Sequence, residues 1–367
     1  MDYLPRVKKL QSYLRENALD AFLVLTKVNR QYLSGFTGSA GALLIRKNKV
    51  GLYVDDRYTI RARRESKLPI KPLTRLRADL SRKGRGKTGI EDKIMLREFL
   101  KIQKITRRLE VTSNVIENIR AVKSKEELRH IAKGSRIIDE IFRRVKRLAK
   151  PGITEAAVSL EIGRLAKKLG GDGLAFDPIV AFGANAASPH QFSENRKIGK
   201  NNFLLLDFGV LVKGYHSDFT RTLFIGKPNR KQEKIYHTVL EAQLRAIEAT
   251  ATPSQPPPRE GEKKEGVIVV KAKDIDSVAR RFIGNAGFGK YFTHNTGHGV
   301  GLEIHELPNF SPDSTDILQK DMVVTVEPGI YLPQSGGVRI EDMVIVGEKP
   351  RVLSEIHKDL KSMVVDV

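Results

Sequence analysis

No cysteine occurs anywhere in the 367 residues. That absence excludes a disulfide framework, a thiolate nucleophile and a thiolate metal ligand. A metal site in this chain must therefore be built from oxygen and imidazole donors. Long apolar runs are also missing, and nothing approaches the roughly 20 residues needed to span a bilayer. The opening segment "MDYLPRVKKLQSYLREN" has no apolar centre of the signal-peptide kind. A soluble, cytoplasmic protein with no membrane partner is the expectation. Acidic residues are the minority charge, 43 against 65 Lys and Arg, leaving a net charge of +22. Between Arg61 and Gly89 eleven basic residues face only Glu65 and Asp79. That stretch has almost no aromatic residues for base stacking and matches no nucleic-acid-binding motif. It reads as a solvated basic face, and nucleic acid is not expected as a partner.

What is present is enough for packed cores. Hydrophobic residues make up 40% of the chain, and its length favours two domains. In the first 120 or so residues, "AFLVL" reads as a buried strand, and "GALLI" and "VGLYV" read as a hairpin around "RKNK". Helical and strand patterns alternate there, as in a small α/β domain. From residue 120 onward two helices are expected in succession. Ser124 and Glu127 form a capping box for the first, and Thr154 caps the second. The segment 249–266, "ATATPSQPPPREGEKKEG", is Pro-rich and polar, and reads as an exposed loop inserted between two helices.

The stretch "HNTGHGVGLEIHE", His294–Glu306, concentrates three histidines and two glutamates. His294 and His298 stand four apart, as in helical HExxH zinc sites. Here no glutamate lies between them. Glycine also disfavours a helix interior by about 1 kcal/mol relative to alanine, so Gly297, Gly299 and Gly301 argue for extended backbone. The remaining metal donors must come from elsewhere.

Two strand pairs supply them. "NNFLLLDFGVLVKGYHSDFTRTLFIG" carries Asp207 and Asp218 on either side of a Lys213-Gly214 turn, and a simple hairpin would set them facing each other. "DMVVTVEPGIYLPQSGGVRIEDMVIV" repeats the layout with Glu327 and Glu341 around "PQSGG". Four carboxylates brought together repel and raise one another's pKa unless cations neutralise them. A carboxylate flanked by "LLL" or "VVTV" is costly to bury unpaired. Oxygen donors with one imidazole suit Mn²⁺, Co²⁺, Fe²⁺ or Zn²⁺, and bridging carboxylates can hold two ions about 3.5–4 Å apart.

The segments "LLDFGVLVKGYHSDFTRT", "HNTGHGVGLEIHE", "VEPGIY" and "VRIEDMV" together resemble the signatures of the pita-bread metallopeptidases, closest to aminopeptidase P and prolidase. "YLSGFTGSAGALLI" and "LYVDDRY" resemble the N-terminal domain these enzymes share with creatinase. The resemblance implies an α+β chain. A creatinase-like domain would occupy residues 1–119, and a pita-bread catalytic domain with two pseudo-symmetric halves would occupy 120–367. It implies a homodimer and two divalent ions, Mn²⁺ first, held by Asp207, Asp218, His298, Glu327 and Glu341, with Asp218 and Glu341 bridging. A hydroxide shared between the ions would attack the scissile carbonyl. His190, His294 and His305 would line the pocket as catalytic and substrate-binding residues, with Glu327 counted among the catalytic groups. Tyr331 and Arg339 match substrate-contacting positions. His216 is read as lying outside the ligand set.

The implied activity is hydrolysis of the bond between an N-terminal residue and a following proline. Prolidase-like sequences often carry an arginine shortly after "IHE.P", the kind of clamp a dipeptide carboxylate needs. This chain has Asn309, so the reading taken is aminopeptidase P, with Xaa-Pro dipeptidase as the alternative. A metal-free binding module associated with nucleic acid or histone is the reading from a different class, and the intact donor set argues against it. Creatinase-like C–N hydrolysis and methionine aminopeptidase activity fit less well, the first for its lack of these ligands and the second for want of the N-terminal domain.

Overall fold

A computed structural model describes residues 2–81, 86–106, 108–253 and 269–367. The chain divides into two compact units, Met1–Arg120 and Ala121–Val367. In the first, all four residues of β1 (Ala21–Val24) are buried, which requires both faces of its sheet to be covered. β2 (Ala42–Arg46) and β3 (Lys49–Val54) form the hairpin expected from the sequence, with Arg46 opposite Lys49 across the turn. Together with β4 (Ile70–Pro72), β5 (Thr88–Glu91) and β6 (Leu109–Thr112) they build one six-stranded sheet, ordered β4-β3-β2-β1-β5-β6. The β3–β4, β1–β5 and β5–β6 pairs are parallel, so their connections must cross over. Helices α1 (Leu4–Glu16), α2 (Lys27–Ser34), α3 (Thr59–Glu65), α4 (Leu76–Ser81) and α5 (Leu96–Gln103) lie between or before the strands, and α6 (Val115–Ala121) follows the last.

The second unit opens with α7 (Lys125–Leu148), whose start is set by its first four residues. The Ser124 hydroxyl accepts from the Glu127 amide at 3.4 Å, and the Glu127 carboxylate accepts from the Ser124 amide at 2.9 Å. Ile131, Ile138, Ile141, Phe142 and Val145 then form its buried stripe, the spacing of an amphipathic helix. Ser124→Ala is expected to lower the stability of this unit by about 1 kcal/mol, read from its urea transition. An unshifted transition would show that the cap contributes nothing. α8 (Glu155–Lys168) is capped by Thr154, whose hydroxyl accepts from Ala157 N at 3.1 Å.

Most of the remaining chain is antiparallel sheet. After β7 (Gly173–Leu174) and β8 (Ile179–Phe182), β9 (Asn202–Asp207) leads into the tight hairpin β10 (Val210–Val212) and β11 (Tyr215–His216). Its two turn residues, Lys213 and Gly214, have φ of 54° and 78°, the pair of positive values a type I′ turn demands. β12 (Thr220–Ile225) returns beside β9. α9 (Arg230–Ala249) and α10 (Ala272–Asn285) follow. From residue 254 the Pro-rich loop expected over 249–266 lies outside the described residues, and Ala249 is the last residue of α9. β13 (Gly297–Gly299), β14 (Glu306–Phe310), β15 (Val323–Val326), β16 (Gly329–Leu332), β17 (Gly336–Arg339), β18 (Asp342–Ile345) and β19 (Arg351–Val352) come next, then α11 (Leu360–Met363) and β20 (Val364–Val365). One sheet is ordered β20-β12-β9-β8 and another β14-β13-β15-β18-β19. They meet where the Glu341 amide donates to the Thr220 carbonyl at 3.1 Å. That bridge, with the Thr222 hydroxyl donating to the Arg339 carbonyl at 2.9 Å and Arg221 paired with Asp342, brings the two carboxylate-bearing strand pairs together. Among the described residues no helix is long and apolar enough to cross a membrane.

Candidate metal centre

Strand register decides where each carboxylate falls. Asp207, the last residue of β9, stands opposite Thr220, not Asp218. The simple hairpin expected from the sequence is therefore replaced by two nested ones, since β10 and β11 consume the connection. Asp218 lies two residues before β12 begins at Thr220, in the short connection after β11. On the other pair Val326 is opposite Asp342, which places Glu327 and Glu341 one step beyond the last paired residues. Here too the connection forms its own hairpin, β16 with β17, turning at Pro333–Ser335.

His298 arrives on β13, between β14 and β15. Gly297 and Gly299 make that passage sterically feasible: a Cβ on Gly297 would collide with the Thr325 carbonyl, and one on Gly299 with the Leu307 carbonyl. The extended backbone inferred from the glycines is thus present, for a packing reason. His298 Nδ1 lies 3.1 Å from the Gly299 carbonyl. Its Nε2 is 3.3 Å from Glu327 and 3.8 Å from Asp218. Donation from Nδ1 to a backbone carbonyl directs the Nε2 lone pair at a metal, the usual orientation of a histidine ligand.

Donor atoms of Asp218, His298 and Glu341 all lie within 4.8 Å of one another, and all three residues are buried. Each carboxylate is gripped by the protein on one side. Asp218 accepts from Phe219 N at 2.9 Å, Glu341 from the Thr220 hydroxyl at 2.6 Å, and Glu327 from the Thr325 hydroxyl at 3.2 Å. Asp207 is paired with Arg339 through one oxygen, while its Oδ1 is buried with no hydrogen-bond partner. A buried acceptor left unsatisfied costs about 1–3 kcal/mol, and a cation at that oxygen removes the cost. The donor set of four carboxylates and one imidazole fits divalent metal.

The charges are as crowded as the distances imply. Burial and then the neighbouring Asp207 push Asp218 well above the ordinary carboxylate range. Burial, Asp218 and Glu327 do the same to Glu341. Burial also raises Asp207, against the lowering charge of Arg339. Burial pulls His298 down, but the hydrogen bond and charge of Glu327, with Asp218, outweigh it and push it up to about 9. Burial favours a protonated Glu327, yet His298 overrides this and holds it at about 2.

A cavity of about 510 Å³ is lined by all five of these residues together with His190, His294, His305 and Arg339. Phe176, Ile179, Pro189 and Ile304 give it an apolar wall, and Asn295 and Asn309 a polar one. His190 is exposed, in the loop after β8. The His305 ring meets His298 edge-on, centroids 4.3 Å apart. Tyr331 does not line the cavity but connects its residues: its hydroxyl accepts from Arg339 at 2.7 Å and lies 2.7 Å from His294 Nε2. His294 Nδ1 is 2.8 Å from the Asn295 carbonyl, so both ring nitrogens already have protein partners. Burial holds its pKa down, consistent with a neutral ring receiving the Tyr331 proton. His216 is outside this cavity, with Nδ1 at 3.2 Å from the Gly301 carbonyl.

Thr220 and Thr325 were not singled out from the sequence. The Thr220 hydroxyl links Glu341 to Arg339 Nε at 3.2 Å, and the Thr325 hydroxyl accepts from His298 N at 3.0 Å. Thr325 is the one hydroxyl in "VVTV", but Thr220 shares "TRTLFI" with Arg221 and Thr222, so neither stands apart before its neighbours are known.

Residues 129–348 match the model of Metallopeptidase family M24, and residues 6–122 match the Creatinase/Prolidase N-terminal domain. The chain is 35% identical over 345 residues to an Xaa-Pro dipeptidase of Pyrococcus horikoshii, covering 93% of this chain and 94% of that one. Its structure superposes on an Xaa-Pro dipeptidase from Bacillus anthracis with a TM-score of 0.88 and 32% identity, over 99% of this chain and all of the other. An X-Pro aminopeptidase from Thermotoga maritima follows at a TM-score of 0.84 and 30% identity, covering 98% and 99%. Fold, donor cluster and sequence agree: the chain belongs to metallopeptidase family M24, with a creatinase/prolidase-type N-terminal domain ahead of a pita-bread catalytic domain.

Proposed function

We propose that this chain is a metal-dependent Xaa-Pro dipeptidase, with Asp207, Asp218, His298, Glu327 and Glu341 holding two divalent ions. The observation that carries the reading is the crowding of three buried carboxylates, Asp207, Asp218 and Glu341, and the partly exposed Glu327 around one histidine. Two of them are pushed far up in pKa, and one oxygen has no partner. Oxygen donors with a single imidazole suit Mn²⁺, Co²⁺, Fe²⁺ or Zn²⁺, and the family resemblance puts Mn²⁺ first. When bound, such ions polarise the scissile carbonyl and lower the pKa of water.

The chain's own residues do the rest. The apolar wall of Phe176, Ile179, Pro189 and Ile304 suits the pyrrolidine ring of proline. His305, exposed on the cavity wall and with its pKa held down by desolvation and then by the charge on His298, stands where it can donate to the carbonyl oxygen as negative charge develops. Arg339 and Tyr331 hold Asp207 and His294 in place, and exposed His190 is placed to contact the substrate. Glu327, kept ionised by His298, remains able to bind a cation across the working pH range.

The aminopeptidase preference drawn from Asn309 gives way here. Relatives named for dipeptidase or prolidase activity dominate, although Asn309 does lie on the cavity wall. The dipeptidase reading predicts faster hydrolysis of Ala-Pro than of Ala-Pro-Ala by the Mn²⁺-loaded enzyme. A charge-assisted contact to the free carboxylate is worth about 1.5–3 kcal/mol, so kcat/KM should differ by roughly tenfold or more. A preference for the tripeptide would return the assignment to aminopeptidase P.

A further inference from the structure

Helix α10 carries an ion pair unlike the other pairs spaced four residues apart on the described helices. Asp276 and Arg280 form a bidentate bridge, Nε and one terminal nitrogen each 2.7 Å from a carboxylate oxygen. The Asp276 side chain is 1% exposed and that of Arg280 32%, whereas Glu241 and Arg245 on α9 stand at 44% and 53%. Burying one end of a pair is costly unless the remaining hydrogen-bonding capacity is used. Here it is used on the segment leading to the metal centre.

Arg280 donates to the Phe292 carbonyl at 3.2 Å and to the His294 carbonyl at 2.9 Å. Its guanidinium also lies over the Phe292 ring, 4.4 Å from the centroid, and that ring meets the His294 imidazole at right angles, 5.2 Å away. Asp276 accepts from the Thr296 hydroxyl at 2.9 Å and from the Thr296 amide at 3.2 Å. The Thr296 carbonyl in turn accepts from the Glu327 amide at 2.8 Å. Residues 292–296 lie outside the strands; the Thr296 amide is shared between Asp276 and the Phe310 carbonyl, 3.0 Å away, while the Phe292 and His294 carbonyls are taken up by Arg280. One planar guanidinium makes four hydrogen bonds here, two to the carboxylate and one to each carbonyl, whereas an ammonium has only three donors.

We infer that Asp276 and Arg280 are positioning residues that clamp the 292–296 segment and thereby fix His294 against the substrate cavity. The inference rests on the peptidase reading for its kinetic consequence, but not for its structural one. Arg280→Lys keeps the charge and loses the fork. Its KM for Ala-Pro should rise by about 10- to 100-fold, the scale of a small misplacement of a binding group. His294→Ala should show a similar rise. The double variant should be no worse than His294→Ala alone, because residues acting through one another are not additive.

A second readout needs neither metal nor turnover. In proton spectra of the metal-free protein, the His294 ring signal is assigned by its loss in His294→Ala. It should move in Arg280→Lys while those of the other seven of the eight histidines hold still. Should Arg280→Lys fail to fold by circular dichroism, Asp276→Asn takes its place with the same two readouts. An unmoved His294 signal, or effects that add in the double variant, would overturn the inference. A wild type inert toward Xaa-Pro peptides defeats the peptidase reading instead, and the His294 signal still decides the positioning role.

Discussion

Asp218→Ala should abolish measurable Xaa-Pro hydrolysis at any Mn²⁺ or Co²⁺ loading. Loss of a group that merely supports a ligand typically costs 10–100-fold in metal affinity or activity. In the proposed ligand set Asp218 binds metal directly, so the loss should exceed about 100-fold. Wild type and variant behaving alike would defeat the metallopeptidase mechanism in this chain. The same residue makes a prediction for the metal-free protein. Asp218 and Glu341 have raised pKa values in the folded state, so the native protein holds more protons than the unfolded one. Their linkage makes stability fall as pH climbs above the unfolded carboxylate value of about 4. His298, raised to about 9, acts in the same direction: its contribution is complete below about 6.5 and is lost as pH rises through 9. Glu327, held at about 2, contributes above its unfolded value and loses that only in strong acid. The histidines with lowered pKa, His130, His216, His294 and His305, act oppositely, but only up to their unfolded value of about 6.5. Between about pH 7 and 9 the metal-free protein should therefore become less stable as pH rises. Metal competes with protons for the same donors, so the stabilisation by Mn²⁺ should grow over that range. Thermal unfolding with chelator and with Mn²⁺, at both ends of the range, reads this. A metal-induced shift that shrinks toward alkaline pH would contradict it. Asp218→Asn, with one charge fewer, should be more stable than wild type in chelator at the alkaline end.

The second large effect is expected at Arg339. Its side chain is 4% exposed and reaches Asp207, Tyr331 and the Thr220 hydroxyl. Burial works against its charge, but Tyr331, Asp207 and Glu327 more than compensate. Removing one partner of a buried ion pair costs about 3–5 kcal/mol, because the other charge is left uncompensated. Arg339→Met should lower the stability of the metal-free catalytic unit by that amount in urea unfolding. Protonation of Asp207 limits the damage. Without Arg339 its pKa rises further, so the deficit should widen from about pH 5 upward and narrow in acid. Activity should fall as well, since Tyr331 loses the donor that orients it toward His294. A loss below about 1 kcal/mol at neutral pH would show that the guanidinium is not the group balancing Asp207.

Much of this centre was legible without coordinates, and the reasons are local. The caps at Ser124 and Thr154, the turn at Lys213-Gly214 and the extended glycine stretch follow from short-range sterics and hydrogen bonding. The acids stood out because they interrupt apolar strands, where an unpaired charge is costly. Local reasoning failed at the strand register. Asp207 and Asp218 were expected face to face, but the chain between them folds a second hairpin and sets Asp207 opposite Thr220. The period of two along a strand names the face of a residue, not its partner. Thr220 and Thr325 were passed over for a related reason: a hydroxyl in a strand has no distinctive pattern until its neighbour is known.

By itself, then, the sequence determined the kind of site this protein has. Without cysteine, and with acids such as Asp207 and Glu327 set in apolar runs, its residues pointed to an oxygen-rich cation site. Tertiary structure decided how that site works. The Thr220–Glu341 contact joins residues 121 apart in the chain, and the Asp207–Arg339 pair joins residues 132 apart. Those contacts select the carboxylate oxygen that is held by protein and the one left to a cation. Tyr331 and the Asn295 carbonyl commit both nitrogens of His294, while His298 Nε2 stays turned toward the acids. Residue type is a property of the chain, but pKa, orientation and charge balance depend on desolvation and on neighbours within a few ångströms. Only folding brings those neighbours together.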